Sequence, residues 1–309
     1  MTAERGRLED GRHYAVLEEL ATFCPLGLRF WDAVVDAQIR GGLRVRAWPL
    51  PARRPVRDAF RSVSDVYAFQ YLPGLVDLER PPSPPAAPPA SPPATRPFVV
   101  EVRDLERQFL PVAFGVELPL PQRGLFQPPQ AGSPGGALPG FYLFSSPVRR
   151  LAPGVAVVRA ELVDAATGRP APWALVRVSI AGQSERWGLA DEAGRVAVQF
   201  PLPLLTPGFG HLFASPGGTA SPPGPPVAER SWVVEVAVFW EPSRLAPLPG
   251  TDLPDLAQVF QQAAADVVLG GGSPPATAPE WPGTLSWDGE LVAATAGLSQ
   301  LWISGQGSP

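Results

Sequence analysis

Apolar and polar residues alternate along many short stretches of this chain, and the alternation comes in two similar copies. The segment Leu28–Leu50 reads LRFWDAVVDAQIRGGLRVRAWPL, and Val157–Ile180 reads VVRAELVDAATGRPAPWALVRVSI. Each has a strand-like run ending in an aspartate, Asp32 or Asp164, then a turn, then a second alternating run. That run is Leu43-Arg44-Val45-Arg46-Ala47 in the first copy and Ala174-Leu175-Val176-Arg177-Val178 in the second. A further strand follows in each, within Ser64–Leu75 and Ala190–Leu205. Each copy then enters a proline-rich loop and leaves it in nearly the same strand, RPFVVEVRDLE (Arg96–Glu106) or RSWVVEVAVFWE (Arg230–Glu241). A shared signature at matching places in two halves is the mark of a duplicated unit.

A period of two places alternate side chains on opposite faces of a strand. In the first VVEV strand, Glu101 and Arg103 share one face while Val100 and Val102 share the other. Short half-buried strands joined by turns predict antiparallel sandwiches rather than a parallel α/β sheet. The expected fold is therefore mainly β, with two tandem antiparallel sandwiches. Their boundaries are 23–121, with a proline-rich insertion at 81–97, and 142–246, with one at 214–227. An N-terminal segment (1–22), a connector (122–141) and a C-terminal helix with short strands (247–309) complete the chain. Helical spacing predicts at most a short helix near 13–20. A capped start at Thr251-Asp252-Leu253-Pro254 predicts a second helix running to about Leu269 and stopping at Gly270-Gly271-Gly272. Short strands follow near 285–287, 291–294 and 300–304, and Trp281, Trp287 and Trp302 read as exposed tryptophans.

Composition sharpens this picture. The 309 residues include 42 prolines and 31 glycines, about twice the usual combined share of roughly 12%. Proline breaks helix interiors and cannot donate to a sheet ladder, so a mainly helical fold is excluded. The tract 81–97 predicts a polyproline-II rod or an extended loop. The chain has no lysine, so all 25 basic residues are arginine, and the net charge is −4. No basic run marks a nucleic-acid partner. The single cysteine, Cys24, permits no disulfide within the chain. The first 20 residues lack the apolar run of a signal peptide, and no stretch approaches the ~18 apolar residues of a membrane span. The expected place of synthesis is the cytoplasm.

Candidate chemistry is sparse. Histidine occurs only as His13 and His211, and H-E-x-x-H, G-x-S-x-G, G-x-G-x-x-G and P-loop patterns are all missing. A triad through His211 and a nucleophilic Cys24 are weaker readings than a loop histidine and a small buried hydrophobe. Asp32, Asp36, Asp164 and Asp191 sit where turns follow strands. Aspartate there hydrogen-bonds its own backbone, and a calcium site built from such turns is the less favoured reading. No catalytic, cofactor-binding or metal-ligating residues are assigned, and no enzymatic activity is expected.

The run Asp164-Ala165-Ala166-Thr167-Gly168-Arg169-Pro170, the strand after it and Ala190-Asp191-Glu192-Ala193-Gly194-Arg195 resemble the carboxypeptidase-regulatory-like module. That resemblance implies a transthyretin-like or immunoglobulin-like sandwich. The match covers Val155–Phe200 well and Val233–Trp240 loosely. The first copy lacks the T-G-x-P turn and joins through the internal repeat. An ordered set of pieces is similar to carboxypeptidase-regulatory-like accessory proteins of phage-tail-like extracellular contractile injection systems. The pieces are Tyr67-Ala68-Phe69, Leu72-Pro73-Gly74-Leu75, Arg96–Val102, Phe109-Leu110-Pro111 and Leu143–Pro147. This resemblance implies a structural or adaptor subunit whose partners are other protein subunits, its own copies among them, and which leaves the cell within a released particle. The alternative is a carbohydrate-binding or adhesive module of a surface protein.

Overall fold

The computed structural model describes residues 5–7, 13–15, 24–79, 95–120, 141–181, 183–202, 231–270, 275–287 and 289–305. The chain is mainly β. Both proline-rich tracts fall largely outside these residues, as does His211. Arg96 and Pro97, assigned to the first insertion, already belong to the strand that follows it.

In the first half, β1 (Arg5–Arg7) and β2 (His13–Ala15) form an antiparallel pair. The helix expected from 13 is therefore a strand at its start, and 16–20 lie outside the described residues. Next come β3 (Leu26–Leu28), β4 (Phe30–Asp32), β5 (Ala37–Gln38), β6 (Leu43–Pro49), β7 (Arg57–Asp58), β8 (Phe60–Arg61) and β9 (Tyr67–Phe69). After the first proline-rich tract come β10 (Arg96–Asp104), β11 (Val112–Leu118) and β12 (Phe141–Leu143). One sheet has the order β11-β10-β6-β7. Facing it are two small sheets, β3-β9-β8 and β12-β4-β5, the β12–β4 pair being parallel. Alternate residues fill the core between the layers: Leu43, Val45 and Ala47 from β6, Phe98, Val100 and Val102 from β10, and Leu28, Phe30 and Phe69 opposite.

In the second half, β13 (Val155–Asp164), β14 (Leu175–Ile180), β15 (Arg186–Leu189), β16 (Arg195–Pro201) and β17 (Ser231–Phe239) enclose a second core. Ala156, Val158, Ala160 and Leu162 of β13 face Val176 and Val178 of β14 and Val234, Val236 and Val238 of β17, all buried. Gly194 closes the β15–β16 turn at φ +77°, and a Cβ there would lie 2.5 Å from the Leu162 carbonyl oxygen. That backbone conformation favours glycine.

The predicted C-terminal helix is a single turn, α1 (Leu256–Val259), capped by Asp255, whose Oδ1 accepts from the Ala257 N–H at 3.0 Å. Residues 264–269, assigned to that helix, lie in β18 (Ala264–Gly270). Its sequence carries the strand period, with Ala265 and Val267 buried and Ala264 and Asp266 exposed. Tertiary pairing outweighs helix propensity here. β19 (Ala276–Ala278), β20 (Trp281–Ser286), β21 (Glu290–Val292) and β22 (Leu301–Ser304) follow. These short strands add to the second sandwich: β18 and β20 pair with β17, and β21 and β22 pair with β13.

The two VVEV strands hold equivalent places. β10 pairs antiparallel with β6 and β17 with β14, setting Glu101 opposite Arg46 and Glu235 opposite Ser179. This register matches Leu43–Ala47 with Val176–Ile180, two residues along from the match read off the sequence. A shift of two leaves every side chain on its own face, so the alternating pattern alone does not separate the two registers.

Candidate functional site

The densest set of polar side chains lies on the outer face of β10. Alternation alone would give Glu101 and Arg103 to solvent, yet Glu101 is only 2% exposed. The loop 247–255, leading from the second sandwich into α1, lies across it. Glu101 Oε1 accepts from Arg103 Nη2 at 2.9 Å and from the Thr251 hydroxyl at 2.9 Å. Its Oε2 accepts from Arg46 Nε at 3.1 Å and from Arg46 Nη2. Arg103 reaches onward to Asp252 Oδ1 at 2.5 Å. Burial pushes the Glu101 carboxyl up, but the hydrogen bonds from Arg103, Arg46 and Thr251 outweigh it and hold its pKa below the ordinary carboxylate value. Asp252 is also lowered: burial acts upward, and its own backbone N–H and Arg103 act downward more strongly.

The same loop is fixed twice more. Trp48 Nε1 donates to the Pro249 carbonyl at 2.9 Å, and Gly250, at φ +97°, lies so close that a Cβ would sit 2.9 Å from that nitrogen. Ala113 of β11 bridges Asp255. Behind the loop, Leu256 and Val259 of α1 join the first core together with Leu175 and Leu189 of the second sandwich. Phe144 and Phe260 meet with ring centroids 6.0 Å apart. The two halves are thus joined by an apolar seam edged with ion pairs. A second ion pair holds the entry to β13: Arg149 bonds Asp32 through Nη1 at 3.0 Å and Nη2 at 2.6 Å, both side chains 12% exposed. The Arg149 guanidinium also lies 4.9 Å from the Phe109 ring centroid. Such sites can hold two domains in one arrangement; they offer no free acid, base or nucleophile.

The turn aspartates act on their own backbones. Asp32 Oδ1 accepts from the Val34 N–H, Asp164 Oδ1 from Ala166, and Asp191 Oδ1 from Ala193 and Arg195, at 2.9–3.0 Å. Asp36 accepts instead from the Tyr142 hydroxyl at 2.8 Å; burial first, then this bond, pushes the Tyr142 pKa up to about 12. Among the described residues no three His, Cys, Asp or Glu side chains are grouped to hold a metal ion. Cys24 is half-buried, and burial raises its pKa, making it a poor nucleophile. Of the three C-terminal tryptophans only Trp287 is exposed; Trp281 and Trp302 are half-buried, the Trp281 indole donating to the Ala294 carbonyl at 2.9 Å. Trp287 stands 6.2 Å from Trp232, between ring centroids.

Two exposed surfaces stand out among the described residues. From Pro51 to Ser64 every residue except Ala59 and Ser62 is exposed, with Arg53, Arg54, Arg57 and Arg61 interleaved with Val56, Phe60 and Val63. On the second sandwich, the outer face of β14, β17 and β20 exposes Val233, Glu235, Pro282 and Thr284. Arg177 there is shared between Glu185 at 3.4 Å and Glu280 at 2.7 Å.

No protein-family model matches the chain, and no curated protein matches it. Among solved structures, a single-site mutant of the shaft pilin SpaA from Lactobacillus rhamnosus GG is similar at 8% identity and TM-score 0.20. That alignment covers 94% of this chain and 99% of the pilin. No helix among the described residues is long and apolar enough to cross a membrane.

Proposed function

We propose that this chain is a non-enzymatic structural or adaptor subunit of a phage-tail-like contractile injection particle, working through protein–protein contacts of its two sandwiches. The observation that carries the reading is where the polar side chains are used. Of the buried carboxylates among the described residues, Glu101 and Asp32 tie one half of the chain to the other, and Glu79 and Asp164 accept from their own neighbouring residues, instead of lining a cleft. Its exposed apolar side chains and unpaired arginines stand on loops and open strands, where a neighbouring protein can reach them. The ordered resemblance from Tyr67 to Pro147 names the kind of assembly. Deleting the chain from a producing cell and imaging the particles by electron microscopy tests this. Particles that lack a layer or fail to assemble support the reading; complete, functional particles contradict it.

A second reading, a carbohydrate-binding module, draws on the exposed Trp287 beside Trp232, since paired indoles can stack on sugar faces. Glycan-array binding that is lost in Trp287→Ala favours it; no binding on the array sets it aside.

A further inference from the structure

The two open surfaces are complementary in charge and both carry exposed apolar side chains. The segment 51–64 has four arginines against one acid, Asp58. Asp58 is engaged by Arg44 at 3.1 Å, and Arg61 is engaged by Asp65 at 3.1 Å. Arg57 donates to the Tyr71 carbonyl at 3.2 Å. Arg53 and Arg54 have no carboxylate partner among the described residues, so their charge faces outward. Val63 is fully exposed, Phe60 is 44% exposed and Val56 42%. Arginine interleaved with apolar side chains is the composition of an interface, because guanidinium groups are weakly hydrated and suit planar carboxylate contacts.

The outer face of β14, β17 and β20 is its opposite. Val233 is 64% exposed. Glu235 two residues along shares its face, and the ladder places it opposite Ser179 and Pro282, so no arginine answers it across the strands. Glu185 and Glu280 border the same face and share the single cation Arg177. Among the described residues, three carboxylates against one guanidinium leave this face acidic.

We propose that the arginine-rich segment 51–64 of one copy docks on the acidic face around Val233 and Glu235 of a second copy of this chain. The two surfaces lie on different sandwiches and do not meet within one chain. The contact is therefore heterologous, and it propagates head to tail instead of closing as a symmetric pair. Contacts built mainly from exposed charges and a few apolar side chains fit reversible association on the order of micromolar. Because the contact is between exposed charges, salt weakens it. This inference rests on the chain being an assembly subunit and names one of its partners. A chain that proves monomeric but is still required for particle assembly would overturn the inference alone.

Sedimentation velocity of the full chain, over a concentration series at low salt and at roughly 0.5 M salt, reads the association. The wild type should form species larger than dimers at low salt and return to monomer at high salt. Two double variants, Arg53→Glu with Arg54→Glu and Val233→Arg with Glu235→Arg, should each be monomeric, since all four positions are exposed and neither change touches a core. Mixed in equal amounts, they should associate again at low salt, because the intact arginine segment of the second variant meets the intact acidic face of the first and the two reversed surfaces also meet with opposite charge. Circular dichroism melts confirm that both are folded. A wild type that stays monomeric at low salt, association capped at a symmetric dimer, or variants that associate like the wild type overturns the proposal.

Discussion

Replacing Glu101 with glutamine probes the junction with almost no change of shape. In the wild type this carboxylate, 2% exposed, accepts from Arg46, Arg103 and Thr251 together. The glutamine oxygen can go on serving one arginine, but its NH2 group then meets the other donor to donor. One charge-assisted contact is lost, and hydrogen bonds to charged groups contribute about 1.5–3 kcal/mol each. Arg46 and Arg103 are 30% and 39% exposed, so water compensates them in part. The expected destabilisation is about 2 kcal/mol at neutral pH. It should also depend on pH. The folded-state pKa of Glu101 lies below its unfolded value of about 4.3, so in acid the unfolded chain binds the extra proton. The advantage of glutamate over glutamine is complete above the unfolded value and is lost as pH falls through the folded one. Urea unfolding of both proteins between pH 7 and pH 3 measures this. A variant as stable as the wild type at pH 7, or a difference that does not shrink in acid, refutes the reasoning.

Three more outcomes follow from the same contacts. Asp32→Ala leaves the Arg149 guanidinium buried without its carboxylate and should cost about 3 kcal/mol in urea unfolding, a loss that Arg149→Met in the same chain partly restores. Gly194→Ala forces a side chain into a left-handed backbone and against the Leu162 carbonyl, and should lower stability by at least about 2 kcal/mol by the same measurement. Trp48→Phe removes the indole bond to the Pro249 carbonyl and should cost about 1 kcal/mol, with faster amide hydrogen exchange confined to 247–255.

Much of the fold was legible because sandwiches leave a period-two trace. Val99–Val102 and Val233–Val236 announced the two central strands, and Asp164–Pro170 and Asp191–Arg195 announced their turns. What sequence patterns missed is long-range. Glu101 and Thr251 are 150 residues apart and Asp32 and Arg149 are 117 apart, and nothing local ties either pair together. A glutamate on the polar face of a strand reads as solvated until a loop from elsewhere covers it. The stretch Ala264–Gly270 was misassigned for a related reason. Alanine, valine and leucine in a short run fit either period, and the pairing with β17, β19 and β22 beside it decides for a strand. Arg53, Arg54 and Glu235 were invisible as surfaces, since complementarity between two faces exists only once the sheets are placed.

Quantitative mass spectrometry of contractile particles purified from a producing cell tests most directly whether this chain serves as a component of an assembly. The chain should co-sediment with sheath and tube proteins in a fixed ratio that survives repeated density-gradient purification. If instead it stays in the fraction free of particles, or its ratio to the tube protein varies from one preparation to the next, the structural-subunit account is contradicted.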